Sequence, residues 1–560
     1  SDEIHHDKIK KQINYKNAWL EIYDFPVVYF PKFFHPDPSV KRQSGFLKPE
    51  LGSSNNLGSS IYTPYFFVIS DDQDLTIKPR IFDDNKFLLQ NEYRKKTKNS
   101  LTIADFSFLK GHDSSILDKG DTRSHLFVQT EMDLLLDNYE SSILKINYQK
   151  ASNDNYLKLF ELQSPLLLGD NSVLESIMEI DLNHQNYDFT SSIQMYETLS
   201  GSNNDRYQYV LPSFNFSKNF NLENINGSFN FNSSGNNTLR NTNITTSSIL
   251  NDLDYSTVNT FFENGIKAKL NVFLKNINSV GKNNPTYKNS PQSELMSAYS
   301  YDTSLPLIKK NSKTFNTLEP KLSLRFSPHE MKNNSNSSRR IDNSNIFASN
   351  RLSLGDSFEA GESITLGLDF KKEKINTNNK IKEMEEYIDF KLASVFRLDE
   401  EKNMPTNSTL NKKSSNIFGQ FNFKPLDNVS LGYNFSLTDD LDKLEYSSLI
   451  TEMNYRNFST QFDYLEETGV IGKTNIIANK TQYNFNNANS FSFSTRRNRK
   501  INLTEYYDLV YEYNNDCLIA GIKYNKKYYN DVDIKPVEQL FFSITIVPLG
   551  TFSPDKMVLK

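Results

Sequence analysis

The sequence predicts an all-β protein whose main part is a large antiparallel β-barrel that spans a membrane. Three observations support this fold class. The chain has 560 residues, apolar and polar residues alternate along many short segments, and no segment stays apolar over the ~20 residues that a spanning helix needs. The mean hydropathy of −0.60 fits, because a spanning strand needs an apolar residue only at every second position.

Length and composition narrow the alternatives. A chain of 560 residues exceeds the ~250–300 residues at which one soluble core stops growing. Low mean hydropathy would also suit a disordered chain, but 41 Phe and 30 Tyr argue against disorder. The net charge is −5 and the basic residues are scattered, so no nucleic-acid partner is expected. No signal peptide is recognisable at residue 1, so we expect a processed or truncated piece.

Residues 1–43 differ from the rest of the chain. They contain two strand-like runs, WLEIY at 19–23 and PVVYF at 26–30, and then prolines at 31, 36 and 38. Prolines at this density are not expected inside a central sheet. We therefore predict that residues 1–43 form the end of a separate small β domain and a stiff linker, and that residues 44–560 form the barrel.

Alternation is clearest at residues 429–437, where Val, Leu, Tyr, Phe and Leu interleave with Ser, Gly, Asn and Ser. Residues 321–326, 364–370 and 542–546 show the same pattern. A period of two places one face of a strand against an apolar medium and the other against a polar one. These runs predict spanning strands around a wet interior.

Turn signals separate the strands. Asn226-Gly227 predicts a hairpin, and a second turn is expected at Gly235-Asn236-Asn237. Polar stretches at 332–345 and 403–416 predict long exposed loops, and short turns with long loops are typical of outer-membrane barrels. A soluble β-sandwich or solenoid also alternates. However, no repeat of 20–50 residues and no clear linker after residue 50 is visible.

Signs of catalysis or metal binding are lacking. None of the seven histidines has a metal-ligand spacing, and GxSxG, P-loop and GxGxxG motifs are missing from the sequence. We predict no enzyme, no cofactor and no metal site. Cys517 is the only cysteine, so it is a free thiol or its disulfide partner lies outside this chain. On this evidence alone, we expect a small buried hydrophobic side chain.

A series of distinctive motifs occurs along the whole chain. They are SGFLKP at 44–49, TPY at 63–65, DLTIKP at 74–79, EYR at 92–94, NDNYL at 153–157, YVLP at 209–212, LEP at 318–320, NRLSLGDSFEAGE at 350–362, EYYDLVYEYNNDCLIAGIKYNKKYY at 505–529 and FFSITIVPLGTF at 541–552. Any one of them is weak, but together and in this order they resemble the motifs of the LptD family of LPS-assembly proteins.

The resemblance implies a fold and a function. It implies a barrel of about 26 strands in the cell outer membrane, with residues 1–43 as the last strands of a periplasmic β-jellyroll. It also implies that lipopolysaccharide arrives from an LptA-type bridge protein through the jellyroll and leaves into the outer leaflet and its lipid. An LptE-type lipoprotein is implied as a plug in the lumen.

The resemblance further implies a lateral gate between the first and last strands. We expect these strands near residues 59–69 and 538–548. Pro64 and Pro79 match the family's gate prolines, and each lacks the N–H that the strand ladder needs. From the residues alone, we would expect these prolines simply to mark strand ends or bulges, and the resemblance is what favours the gate. The other expected gate residues are Ile61, Tyr62, Phe542, Ile544 and Ile546.

Cys517 falls where the family has C-terminal cysteines that pair with cysteines of the jellyroll region. Many members have two adjacent cysteines there, whereas this chain has Asp516-Cys517. The resemblance thus implies a disulfide partner upstream of residue 1.

A TonB-dependent receptor or an adhesin-type porin is the main alternative to this family. However, a TonB-dependent receptor should bring a plug domain of well over 100 residues before its barrel.

Overall fold

The computed structural model describes most of the chain, in two sheets. The described residues are 1–9, 11–22, 25–37, 42–55, 57–83, 86–112, 121–167, 172–200, 205–220, 226–284, 287–376, 383–514, 518–528 and 537–546. The first sheet is antiparallel and contains β1 (Glu3–Asp7), β2 (Gln12–Ile22) and β3 (Phe25–Pro36). It is separate from the barrel and consistent with part of a jellyroll.

The remaining described strands form one closed antiparallel barrel. They are β4 (Gly45–Phe46), β5 (Glu50–Ser54), β6 (Gly58–Tyr62), β7 (Tyr65–Ser70), β8 (Gln73–Phe82), β9 (Phe87–Lys96), β10 (Ser100–His112), β11 (Asp121–Asp133), β12 (Ser141–Ala151), β13 (Val173–His184), β14 (Tyr187–Thr198), β15 (Tyr207–Phe220), β16 (Gly227–Arg240), β17 (Ile244–Thr257), β18 (Thr260–Phe261), β19 (Lys267–Lys282), β20 (Gln292–Ser304), β21 (Leu307–Lys310), β22 (Thr314–Ser327), β23 (Gly361–Asn376), β24 (Glu383–Arg397), β25 (Ile417–Leu426), β26 (Val429–Leu437), β27 (Leu444–Tyr455), β28 (Phe458–Glu467), β29 (Asn475–Asn484), β30 (Asn489–Asn498), β31 (Leu503–Asn514), β32 (Leu518–Lys527) and β33 (Val537–Ile546).

Four strands are each interrupted once, so that β4 with β5, β6 with β7, β17 with β18, and β20 with β21 act as single strands. The described residues therefore form a barrel of 26 strands, which confirms the predicted fold class. One short helix, α1 (Tyr156–Leu159), and a 3-10 turn at Thr406–Ser408 lie in loops. No helix among the described residues is long and apolar enough to cross a membrane.

The burial of the wall is inverted relative to a soluble protein. In β22, Leu324 and Phe326 are each 43% exposed, whereas the intervening Arg325 is only 9% exposed. This matches the alternation predicted at 321–326. Exposing outward-facing apolar side chains costs free energy in water but not in hydrocarbon, so the wall suits a lipid environment.

Two details of the sequence prediction differ from the structure. Gly235 does not form a turn but lies inside β16, where the ring of Phe214 occupies the space that a side chain would need. Strand β3 continues through Pro31 to Pro36, so part of the predicted linker is a strand. Strand β3 is at the edge of the described sheet. A proline in an edge strand costs no ladder bond where its nitrogen faces away from the neighbouring strand.

The long loops at 328–360 and 398–416 pack together around an apolar core of their own. Its buried apolar members include Met331, Ile346, Leu352, Met404 and Leu410. The predicted loops at 332–345 and 403–416 lie within these segments, but the prediction that they are exposed was wrong in part, since Ile341, Met404 and Leu410 are buried.

An ion cluster anchors the first of these loops to the barrel wall. Glu359 accepts hydrogen bonds from Arg351 Nε at 2.7 Å and from Arg397 Nη1 at 2.8 Å, and all three side chains are buried. Burial alone would raise the pKa of Glu359, but Arg351, Arg325 and Arg397 together lower this pKa from 4.5 to about 2. The carboxylate therefore stays charged at neutral pH.

We expect Glu359→Gln to lower the free energy of unfolding by ~3–5 kcal/mol, because it leaves buried guanidinium groups without a counter-charge. Denaturant unfolding in detergent micelles measures this. The exposed neighbour Glu362→Gln is the control. Since the pKa is depressed in the folded protein, the benefit of the carboxylate is complete above pH 4.5 and is lost as the pH falls through about 2. An equal loss in both variants would contradict this role.

Candidate functional site at the barrel seam

The barrel closes between its last strand, β33, and β5, and we call this junction the seam. Five residue pairs join the two strands, from Gln539 opposite Ser54 to Ser543 opposite Glu50. One further backbone bond runs from Asn55 N–H to the Glu538 carbonyl at 3.1 Å. By comparison, β33 pairs with its other neighbour β32 along its whole length, from Val537 to Ile546. The seam is therefore about half as long as the junction beside it.

The predicted first strand at residues 59–69 was placed one strand too far inward. These residues form β6 and β7, and neither pairs with β33. The partner of β33 is instead β5, whose sequence ELGSS has one large apolar residue and gives little alternation signal. Backbone pairing to a strand on each side makes this short segment a strand.

Pro64 and Pro79 lie at two neighbouring strand junctions just inside the seam. Thr63 N–H donates to the Pro79 carbonyl at 3.2 Å, and Leu47 N–H donates to the Pro64 carbonyl at 2.9 Å. Hydrogen-bonded antiparallel pairs normally exchange two such bonds. Because proline has no N–H, each of these pairs keeps only one bond.

A third proline, Pro49, lies at the same spacing along the chain. Pro49 interrupts β4 and β5, 15 residues before Pro64, which in turn lies 15 residues before Pro79. The first three strands of the barrel thus each contain one proline. The ladder bonds that Pro64 and Pro79 remove lie within the first three strands, and the five pairs of the seam itself contain no proline.

The other predicted gate residues surround the seam. Ile61 is exposed on the outer face, and Phe542 lies opposite Leu51 with both side chains exposed. The guanidinium carbon of Arg80 lies over the ring of Tyr62, 5.0 Å from the centre of that ring. The backbones of Ile544 and Ile546 pair with β32, but their side chains lie outside the described residues. Cys517 is also outside them, so its disulfide stays a prediction.

Gly52 and Phe541 form a close contact across the seam that the sequence did not reveal. They lie directly opposite each other, and a Cβ added to Gly52 would meet two ring atoms of Phe541 at 2.9 Å. The ring therefore covers the backbone at Gly52, which helps to hold the short junction closed.

The proline arrangement is not unique to the seam. Pro306 interrupts β20 and β21, and Leu305 N–H donates to the Pro320 carbonyl of β22 at 3.1 Å. This pair repeats the geometry of Thr63 and Pro79 in a remote part of the wall. Prolines in the ladder therefore do not identify a gate by themselves.

A polar cavity of about 320 Å³ lies on the inner side of the seam. Its lining includes Glu50 and Tyr62 on one side of the seam, and Phe541 and Ser543 on the other. Residues 160–163, from the loop after β12, complete its wall. Among the described residues, no group of three or more His, Cys, Asp or Glu side chains is placed to hold a metal ion.

Comparisons with known proteins point to one family. A family model described as LPS transport system D (LptD) matches residues 122–488, and a second, described as LptD protein, matches residues 13–110. The chain is 36% identical over 97 residues to the LPS-assembly protein LptD of Pseudomonas aeruginosa UCBPP-PA14, which is 17% of this chain and 10% of that protein. It is 33% identical over 141 residues to the LPS-assembly protein LptD of Pseudoalteromonas translucida TAC 125, which is 25% of this chain and 18% of that protein.

A solved structure also aligns along most of the chain. The alcaligin outer-membrane receptor FauA from Bordetella pertussis aligns over 95% of this chain and 81% of its own, with 8% identity and a TM-score of 0.29. A TM-score this low supports no inference about function.

We expect Gly52→Val to lower the free energy of unfolding by ~1–3 kcal/mol, because the new side chain displaces the Phe541 ring. Denaturant unfolding in micelles measures this effect. Gly432→Val, in β26, is the control, since a Cβ there meets only a side-chain oxygen of Asn422. If Phe541→Ala does not reduce the cost of Gly52→Val, the ring contact does not stabilise the seam.

Proposed function

The chain belongs to the LPS transport system D (LptD) family, and on this premise we propose that it releases lipopolysaccharide into the outer leaflet through the seam between β5 and β33. It is an outer-membrane protein. The observation that carries the proposal is the short seam, which has five residue pairs, the fewest of any junction between neighbouring barrel strands among the described residues; the next shortest, between β24 and β25, has six. Residues 44–560 would form this barrel, and residues 1–43 would end the jellyroll domain.

The cargo sets the physical problem. Lipopolysaccharide has a large polar saccharide and several acyl chains, so a release path must admit both water and hydrocarbon. A closed barrel keeps its backbone bonds satisfied in lipid, and each unpaired backbone group there costs several kcal/mol. Sideways release therefore favours the junction with the fewest bonds to break, and the seam meets that requirement.

The seam is weak enough to open and strong enough to close. A backbone hydrogen bond contributes ~0.5–1.5 kcal/mol net, so a junction of about five bonds is held by several kcal/mol before the side chains are counted. Phe541 over Gly52 adds a contact that can re-form without rearranging the wall. The polar cavity behind the seam offers a wet space from which a saccharide could leave.

The prolines would act as a hinge line and not as breaks in the seam. Pro64 and Pro79 weaken the junctions within the first three strands, so these strands can bend together away from β33. Pro49 would extend this line to the edge strand, β5. The prolines thus remain part of the gate, but they act one to two strands inside the seam.

The partners that we propose are the ones expected for a member of this family. An LptA-type bridge protein would pass lipopolysaccharide to the jellyroll, of which β1–β3 would be the end. An LptE-type lipoprotein would occupy the part of the lumen that the loops leave open. No enzymatic role is proposed, since the family is one of transport and assembly.

We expect Pro79→Ala to slow lipopolysaccharide delivery by roughly 2- to 10-fold, because the new N–H can donate to the Thr63 carbonyl and stiffen the hinge. Pro64→Ala should act in the same direction through Leu47. The measurement is delivery to the outer leaflet in membranes that contain the complete transport machinery. Pro320→Ala restores an equivalent bond far from the seam and should leave the rate unchanged. Equal slowing in Pro320→Ala and Pro79→Ala would contradict the hinge role.

A further inference from the structure

The loop that follows β12 folds back against the inner wall of the barrel. We call residues 152–167 the strap. Its apolar side chains Tyr156, Leu157, Phe160, Leu162 and Leu166 are all buried. They pack against inward-facing residues of the wall and its adjoining loops, namely Leu57, Phe82, Leu88, Leu109, Phe127, Ala151, Leu174 and Leu199. This apolar core fixes the strap to the side of the barrel that contains β8–β14.

Hydrogen bonds fix the strap to the same wall. The Tyr156 hydroxyl lies 2.6 Å from Ser107 Oγ, which is itself 2.6 Å from His125 Nδ1. Gln90 donates to the Gln163 carbonyl at 2.9 Å. Buried polar groups with satisfied partners are costly to separate, so this side of the strap should remain in place when the barrel moves.

The strap reaches the opposite side of the seam through an ion pair. Lys527 Nζ lies 2.6 Å from Glu161 Oε1. Lys527 ends β32, the strand next to β33, although it lies 366 residues after Glu161 in sequence. The strap therefore links the strands on the two sides of the seam. Neither side chain of the pair is deeply buried, since Glu161 is 22% and Lys527 39% exposed.

The strap also closes the cavity behind the seam. Residues 160–163 line it together with Glu50 and Tyr62 from one side and Phe541 and Ser543 from the other. Sideways movement of β5 away from β33 would increase the distance between the wall that holds the strap and the strand that carries Lys527.

We propose that the strap is a latch on the seam, and that the Glu161–Lys527 ion pair must separate before the seam opens. The strap stays with the wall that buries its apolar side, and the partly exposed ion pair is the contact that releases. A partly exposed pair is weak enough to break and re-form repeatedly. The proposal rests on the proposed function only in taking the seam as the release site.

The test measures seam closure directly, without lipopolysaccharide. Ser54 and Gln539 are directly opposite across the seam, so Ser54→Cys with Gln539→Cys, in full-length protein carrying Cys517→Ala, form a disulfide when the seam is closed. Glu161→Gln and Lys527→Gln should each slow the rate of this crosslink by about 2- to 5-fold. Glu161→Lys combined with Lys527→Glu should restore the rate, since the pair re-forms with its charges exchanged.

Lys526→Gln is the matched control. Lys526 is the neighbouring lysine in β32, and its partner Glu538, at 3.2 Å, lies on β33, so this ion pair does not cross the seam. It should leave the crosslinking rate unchanged. Unchanged rates in Glu161→Gln and Lys527→Gln, or no recovery in the charge exchange, would overturn the latch. If the crosslink responds but lipopolysaccharide delivery does not, the latch stands and the proposed release through the seam fails.

Discussion

The pairing of backbone groups in hydrocarbon is the constraint on which the rest of this structure depends. A strand edge that faces lipid without a partner is too costly to persist, so the barrel must close and every strand must find two neighbours. In this chain the last partner is β5, a segment of five residues. Among the described residues, the junction that closes the barrel is therefore the one with the fewest residue pairs, and side chains such as Phe541 over Gly52 supplement the backbone there.

The prolines and the strap around this junction have different effects on its closure. Pro64 and Pro79 leave the five seam pairs intact and remove bonds between the strands behind them, so in the proposed gate bending and unpairing are separate steps. The strap then links β32 to the opposite wall across the polar cavity. Far from the seam, the buried cluster around Glu359 holds another long loop with stronger, fully desolvated charges, as a static part of the barrel would require.

Local sequence patterns predicted the architecture, whereas contacts between segments that are distant along the chain could not be predicted from the sequence. Alternation at 321–326 predicted a strand because Leu324 and Phe326 face lipid and Arg325 faces inward. Pro64 and Pro79 were recognised as ladder breaks, but their place one to two strands inside the seam depends on β5, whose ELGSS sequence shows little alternation. Gly235 looked like a turn because the contact that requires glycine comes from Phe214 on another strand. Glu161 and Lys527 carry no local signal of their pairing.

The most direct test of release through the seam is to lock it. With Ser54→Cys and Gln539→Cys in a Cys517→Ala background, oxidation joins β5 to β33 at a pair that is already in register. Lipopolysaccharide delivery by the complete machinery should stop on oxidation and recover when the disulfide is reduced. Delivery at the full rate while the crosslink is oxidised and verified would show that the cargo leaves by another path, and would rule out release through the seam.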